Sequence, residues 1–223
     1  MTTNNAINAP TPFSVSNGGS GVGSFTSYSV LCGGTTSTGA LQNVSGVGTS
    51  NQVLVSNGAS ALPSWGVAGR TGFVLQVLST TINTRSTTTS STLVAIPSLS
   101  VSITPASSSS KILIFGHVTI GNSSGLGSPI QLMRGATAIC QGSGGTGVQF
   151  NATCTNVANN AYNSSSVGYC YLDSPATTSS TTYSLQYAAT GGGTAVINGT
   201  FNNANNNYEG VATSTITVME IHG

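Results

Sequence analysis

Two four-residue words each occur twice inside one uncharged stretch, residues 15–65: VSNG at 15–18 and 55–58, and SGVG at 20–23 and 45–48. Between them lie short pieces carrying β-branched or aromatic residues, such as 27–31 (SYSVL) and 52–55 (QVLV), each closed off by Gly, Ser or Thr. Pieces of this kind make only very short strands. None can bury a face against its own neighbours. The stretch is therefore either disordered or ordered by other copies of itself. Low charge and spaced apolar side chains suit packing between chains better than free solvation, and the second outcome is expected.

Charge narrows the function classes. Charged residues make up 3% of the chain and the net charge is +1, where a globular chain carries about a quarter. There is no electrostatic footprint for nucleic acid or an anionic membrane, and no apolar run reaches the length of a membrane span. Solubility has to come from Ser, Thr and Asn, a composition that fits a fixed assembly or a secreted polymer better than a cytosolic enzyme. Residues 1–12 (MTTNNAINAPTP) have neither a basic n-region nor an apolar h-region, so they do not read as a signal peptide.

The 223 residues suffice for one sizeable domain plus an extension. Residues 66–72 (GVAGRTG) read as a linker. The expected division is an N-terminal attachment arm (1–14), a repetitive Gly/Ser-rich shaft segment (15–69) and a C-terminal head domain (70–223). The single tryptophan, Trp65, is expected to plug a local core where the extension meets the head.

From Phe73 onward short strands alternate with Gly/Ser/Thr/Asn turns. Residues 73–78 (FVLQVL) form a strongly apolar run, and 93–103 (LVAIPSLSVSI) end with Leu99, Val101 and Ile103 on one face and Ser100 and Ser102 on the other. Residues 111–120 (KILIFGHVTI) are nearly continuous in apolar character, which predicts a strand covered on both faces. Residues 130–140 read as a hairpin turning at Arg134 and Gly135. Further strands are expected at 147–154, 167–173, 183–189, 194–201 and 213–221. No helical period is present. The fold class predicted is all-β, with an antiparallel, jelly-roll-like β-sandwich head of ten strands.

Little in the chain points to catalysis. The acids are Asp173, Glu209 and Glu220 and the histidines His117 and His222, scattered over separate elements; glycoside hydrolysis needs two carboxylates held a few ångströms apart. No G-x-S-x-G elbow occurs. Cys32, Cys140, Cys154 and Cys170 lack C-x-x-C spacing, which argues against zinc. Cys140, Cys154 and Cys170 fall on neighbouring expected strands, and a late disulfide between two of them is left open. The expectation is a non-enzymatic protein with no cofactor and no metal.

The run GGSGVGSFTSYSVLCGGTTSTGALQNVSGVGTSNQVLVSNGASALPSW resembles a module of tail-fibre and appendage proteins of tailed bacteriophages. That module reads roughly GGTG, then Y-x-V-x-x-GGTTSTG-x-LQ, then G-x-V-L-x-SNG-x-G-x-x-P-x-W, and the matches here fall at 18–21, 28–42 and 52–65. The resemblance covers about a quarter of the chain. It implies a homotrimeric virion appendage, joined by its N-terminal arm to other tail or baseplate proteins, whose distal head touches a host-surface receptor. The residues expected at the trimer interface are Ile216, Val218 and Glu220, on a strand with apolar residues on both faces. With ten strands the loops at the far end of the head would be 80–91, 121–128, 141–146, 174–181 and 202–210. The near end would hold 105–110, the Arg134 turn, 155–166 and 190–193. Among the far loops, Asn202, Asn203, Asn205, Asn206, Asn207 and Tyr208 offer uncharged donors, acceptors and a stacking ring, as a neutral polysaccharide would require. The alternatives are a capsid decoration protein and a secreted cell-surface adhesin.

Overall fold

The computed structural model describes residues 14–50, 52–67, 72–147, 149–157, 160–204, 206–207 and 209–223. Most of the expected attachment arm, residues 1–13, and part of the linker, 68–71, lie outside the described residues. The chain divides into two compact units, Met1–Arg70 and Thr71–Gly223. Among the described residues there is no α-helix, and the fold is all-β.

The first unit is built from pieces as short as its sequence dictates. After one 3-10 turn (Val15–Asn17) come two two-stranded ladders. Strand β1 (Leu31–Cys32) pairs with β2 (Gln42–Asn43), and β3 (Gln52–Val55) pairs with β4 (Ser64–Val67). The repeated word VSNG ends both times in a left-handed glycine, Gly18 (φ 82°) and Gly58 (φ 97°). Trp65 seats inside this unit: its indole N–H donates to Gly46 O at 3.2 Å, and its ring lies so close to Gly48 that a Cβ there would sit 2.9 Å from Trp65 Cδ2. Trp65 is thus part of the first unit's own packing. About half of the described apolar residues of this unit are exposed and nearly all the others only partly buried. Val44 alone among them is fully buried, while Tyr28, Leu31, Val53 and Leu54 face solvent.

The second unit is an antiparallel β-sandwich. Its strands are β5 (Val74–Ile82), β6 (Ser86–Thr88), β7 (Val94–Ile103), β8 (Lys111–Asn122), β9 (Gly127–Arg134), β10 (Thr137–Ile139), β11 (Cys154–Val157), β12 (Ser164–Asp173), β13 (Thr181–Tyr187), β14 (Ala195–Ile197) and β15 (Ser214–Ile221). One sheet has five strands, ordered β10-β9-β13-β7 with β11 also on β9. The other has six, ordered β5-β15-β8-β14-β6 with β12 on the opposite side of β8. The core lies between the sheets. It is made by Leu99, Val101 and Ile103 of β7, Ile112, Ile114, Val118 and Ile120 of β8, Ile130 and Leu132 of β9, Tyr183, Leu185 and Tyr187 of β13, and Ile216 and Val218 of β15.

The hairpin at Arg134 is present: Thr137 pairs with Arg134 across a turn at Gly135 and Ala136. Among the described residues the head has eleven strands rather than ten. Residues 86–88, expected in a loop, form β6, and the strand expected at 147–154 forms instead at β11. The registers also correct the loop ends. β10 and β11 both run antiparallel to β9 on the same side, one beyond the other, so the chain does not change ends between them. β14 and β15 likewise lie one beyond the other beside β8. Each collinear pair shifts the alternation by one. As a result the 174–180 loop lies at the end where the chain enters the head, together with 104–110 and the Arg134 turn. Loops 123–126 and 188–194 and the described residues 160–163 lie at the opposite end. Loops 140–153 and 198–213 are side excursions between collinear strands.

Candidate functional site

The 198–213 excursion is closed at its base by Asn198, a non-glycine residue with φ 60°. Its backbone N–H donates to Thr119 O (2.9 Å) and its carbonyl accepts from Ala212 N–H (3.2 Å). Its side-chain Nδ2 donates to Ile82 O (3.0 Å) and Thr84 O (3.2 Å), and its Oδ1 accepts from Ser214 Oγ at 2.6 Å. Arg85 reaches over from the β5–β6 junction and donates to the carbonyls of Thr200 (3.3 Å) and Phe201 (3.2 Å). A surface loop with joined ends, packed by its own side chains, is an Ω-loop.

Its centre is Glu209. The carboxylate accepts from Asn202 Nδ2 (2.9 Å), Asn206 Nδ2 (3.0 Å), Ala204 N–H (3.1 Å) and Thr200 Oγ1. Asn206 Oδ1 in turn accepts from Glu209 N–H at 2.9 Å. These donors, Asn202 first and Thr200 next, hold the Glu209 carboxyl down at about 2. Of the residues expected to meet a glycan, Asn202 and Asn206 therefore have side-chain amides committed to Glu209. Asn203 and Asn207 are exposed, and Asn205 and Tyr208 lie outside the described residues. The described part of the tract is wound around one anion. Carboxyl chemical shifts followed from pH 6 down should show Glu209 still ionised at pH 3, whereas titration at the ordinary glutamate value, about 4.3, would mean that the cage is open in solution.

The loop borders the far end of the head through a hydrogen bond from Asn202 N–H to Ala161 O (3.0 Å). That contact sets the Asn-rich loop beside residues 160–163, where Tyr162 is 48% exposed; Phe201, one residue before Asn202, is 40% exposed. Residues 155–166 are expected at the near end, whereas the described residues 160–163 lie at the far end. The signal available was the NNAYN run at 159–163, which repeats the Asn/Tyr composition of 202–208.

The expected trimer-interface residues lie elsewhere than expected. On β15, Ser214, Ile216, Val218 and Glu220 point inward and Thr215, Thr217, Met219 and Ile221 point outward. Ile216, Val218 and Glu220 are wholly buried within one chain and cannot meet a neighbour. Glu220 is not paired with Arg or Lys. It accepts from Gln76 Nε2 (2.6 Å) and from Ala106 N–H (2.7 Å). Burial pushes its carboxyl up, but the hydrogen bonds, Gln76 foremost, outweigh this and leave it below its ordinary value.

The outward face of the six-stranded sheet carries the apolar side chains that one chain leaves uncovered. In register across four strands, Val77 of β5 lies beside Met219 of β15, Met219 beside Leu113 of β8, and Leu113 beside Leu172 of β12. Val77 is 49% and Leu172 54% exposed. The next row is Ser79, Thr217, Phe115 and Cys170. Lys111 and His117 sit at the margins of this face. β8 was expected to be covered on both faces; its inner residues are buried, whereas Leu113, Phe115 and His117 are half-exposed.

Among the described residues no group of three or more His, Cys, Asp or Glu is placed to hold a metal ion. In comparison with known proteins, no family model and no curated sequence matches the chain.

Proposed function

We propose that the protein is a non-enzymatic structural component of a bacteriophage tail fibre or appendage. It works as a homotrimer in the virion, joined to other tail or baseplate proteins by residues 1–14. Its head binds a neutral host-surface glycan during adsorption. The observation that carries the reading is the uncovered apolar row Val77–Met219–Leu113–Leu172, on a sheet whose central strand has the composition of one buried on both sides. A soluble monomer rarely leaves so continuous a patch open. The occupant is a second copy of this chain: with 3% charged residues, no like-charge repulsion keeps copies apart. The exposed apolar side chains of the first unit are what threefold packing would cover, and the resemblance of residues 18–65 to the fibre module agrees.

The receptor surface moves with the corrected loop positions. Tyr162, beside the Glu209-centred loop, and Phe201, within it, supply the apolar faces on which sugar rings stack. Replacing both with alanine should lower adsorption of the protein to host cells at least tenfold while leaving its mass and circular dichroism unchanged. Adsorption at the parental level by this double variant would remove the far-end loops from receptor binding.

A further inference from the structure

The 140–153 excursion leaves and rejoins one side of β9. β10 ends with Ile139 beside Leu132, and β11 begins with Cys154 beside Ile130. Those partners are two residues apart on one strand, so the chain departs and returns within about 7 Å. The two limbs are tied together: Gly142 N–H donates to Ala152 O (3.1 Å), and Gln131 Nε2 donates to Ile139 O (2.9 Å) and to Thr153 Oγ1 (3.3 Å). Cys140, one residue past Ile139 and turned into the left-handed region (φ 52°), and Cys154 therefore stand at the two feet of the loop. Feet this close are within the reach of a disulfide, whose Cα atoms stand about 4.4–6.8 Å apart. Both side chains are partly buried and pack against the same core. Both thiols are free in this structure.

We infer that Cys140 and Cys154 form a disulfide when the folded protein meets a small-molecule disulfide, and that this bond fixes the 141–153 loop at its base. In the first step a thiolate of the pair attacks one sulfur of the small disulfide, forming a mixed disulfide and releasing one small thiolate. In the second step the other protein thiolate attacks the protein-bound sulfur and expels the second small thiolate. The protein loses two electrons and two protons, and the oxidant gains them as two thiols. Burial raises both thiols, Cys154 to about 11, so exchange is slow at neutral pH and quickens as pH rises. The competitor is Cys170, exposed on β12 and near enough to Cys140 to add to the upward shift of its thiol.

The test incubates the full chain with oxidised glutathione at pH 8.5, blocks remaining thiols and digests without reduction. Cleavage after Phe150, Tyr162 and Tyr169 separates the three cysteines onto different peptides. The expected product is a cross-link between the Cys140 and Cys154 peptides, with Cys170 blocked. It should form equally in a Cys170→Ser variant and be absent in Cys154→Ser. Amide exchange in 141–153 should slow at least tenfold on oxidation. A Cys140–Cys170 cross-link, or three blocked thiols in the folded wild-type chain after prolonged oxidation, would overturn the inference.

Discussion

Replacing Asp173 with alanine is expected to cost the head about 3 kcal/mol. Asp173 is 4% exposed at the end of β12, in the six-stranded sheet. It accepts from Arg134 Nη1 at 2.9 and 3.1 Å and from Tyr183 Oη at 2.7 Å, both from the five-stranded sheet. The carboxylate therefore clamps the two layers together at the end where the chain enters. Without it, the fully buried Tyr183 hydroxyl loses its acceptor and the Arg134 guanidinium loses its counter-charge. Arg134 remains partly solvated, at 32% side-chain exposure, which keeps the cost at the lower end for a broken ion pair. Asp173→Asn keeps an acceptor and should cost less. Urea unfolding at fixed protein concentration measures both, and an unchanged midpoint for the alanine variant would show that the clamp contributes nothing.

The second large effect is on assembly. Placing an aspartate at Val77 or at Leu172 puts an unpaired charge into the apolar row once per copy. In a packed interface that charge has no counter-ion and no solvent, a penalty of several kcal/mol for each copy. Either variant is expected to sediment as a single folded chain. Ser100→Asp, on the exposed outer face of β7, serves as the control and should assemble as the parent does. If Val77→Asp and Leu172→Asp assemble normally, this face is not where copies meet.

How much of this was legible in the sequence depends on whether the deciding contact is local. The alternation of Leu99, Val101 and Ile103 with Ser100 and Ser102 predicts the inward face of β7, and those three side chains are buried. β15 offers apolar residues on both faces, and alternation alone does not say which face goes in. The face holding Glu220 went inward because Gln76, 144 residues away, and the Ala106 N–H are there to receive it. No spacing rule announces such partners. The loop ends failed for a similar reason. Two strands that run one beyond the other on the same neighbour look in sequence like any successive pair, and each such pair shifts the alternation of every later loop. The Asn-rich tract was visible as composition. Its single acid, Glu209, was the clue that the amides were already engaged, while the neighbouring Tyr162 and Phe201 become neighbours only through the Asn202–Ala161 hydrogen bond.

In the proposed trimer, copies of the chain cover both the exposed apolar residues of the first unit and the uncovered row on the head. Static light scattering on the purified full chain at micromolar concentration tests this most directly. The expected mass is three times the 22.1 kDa of one chain, unchanged on tenfold dilution. A mass of 22.1 kDa from a soluble, folded sample would contradict it.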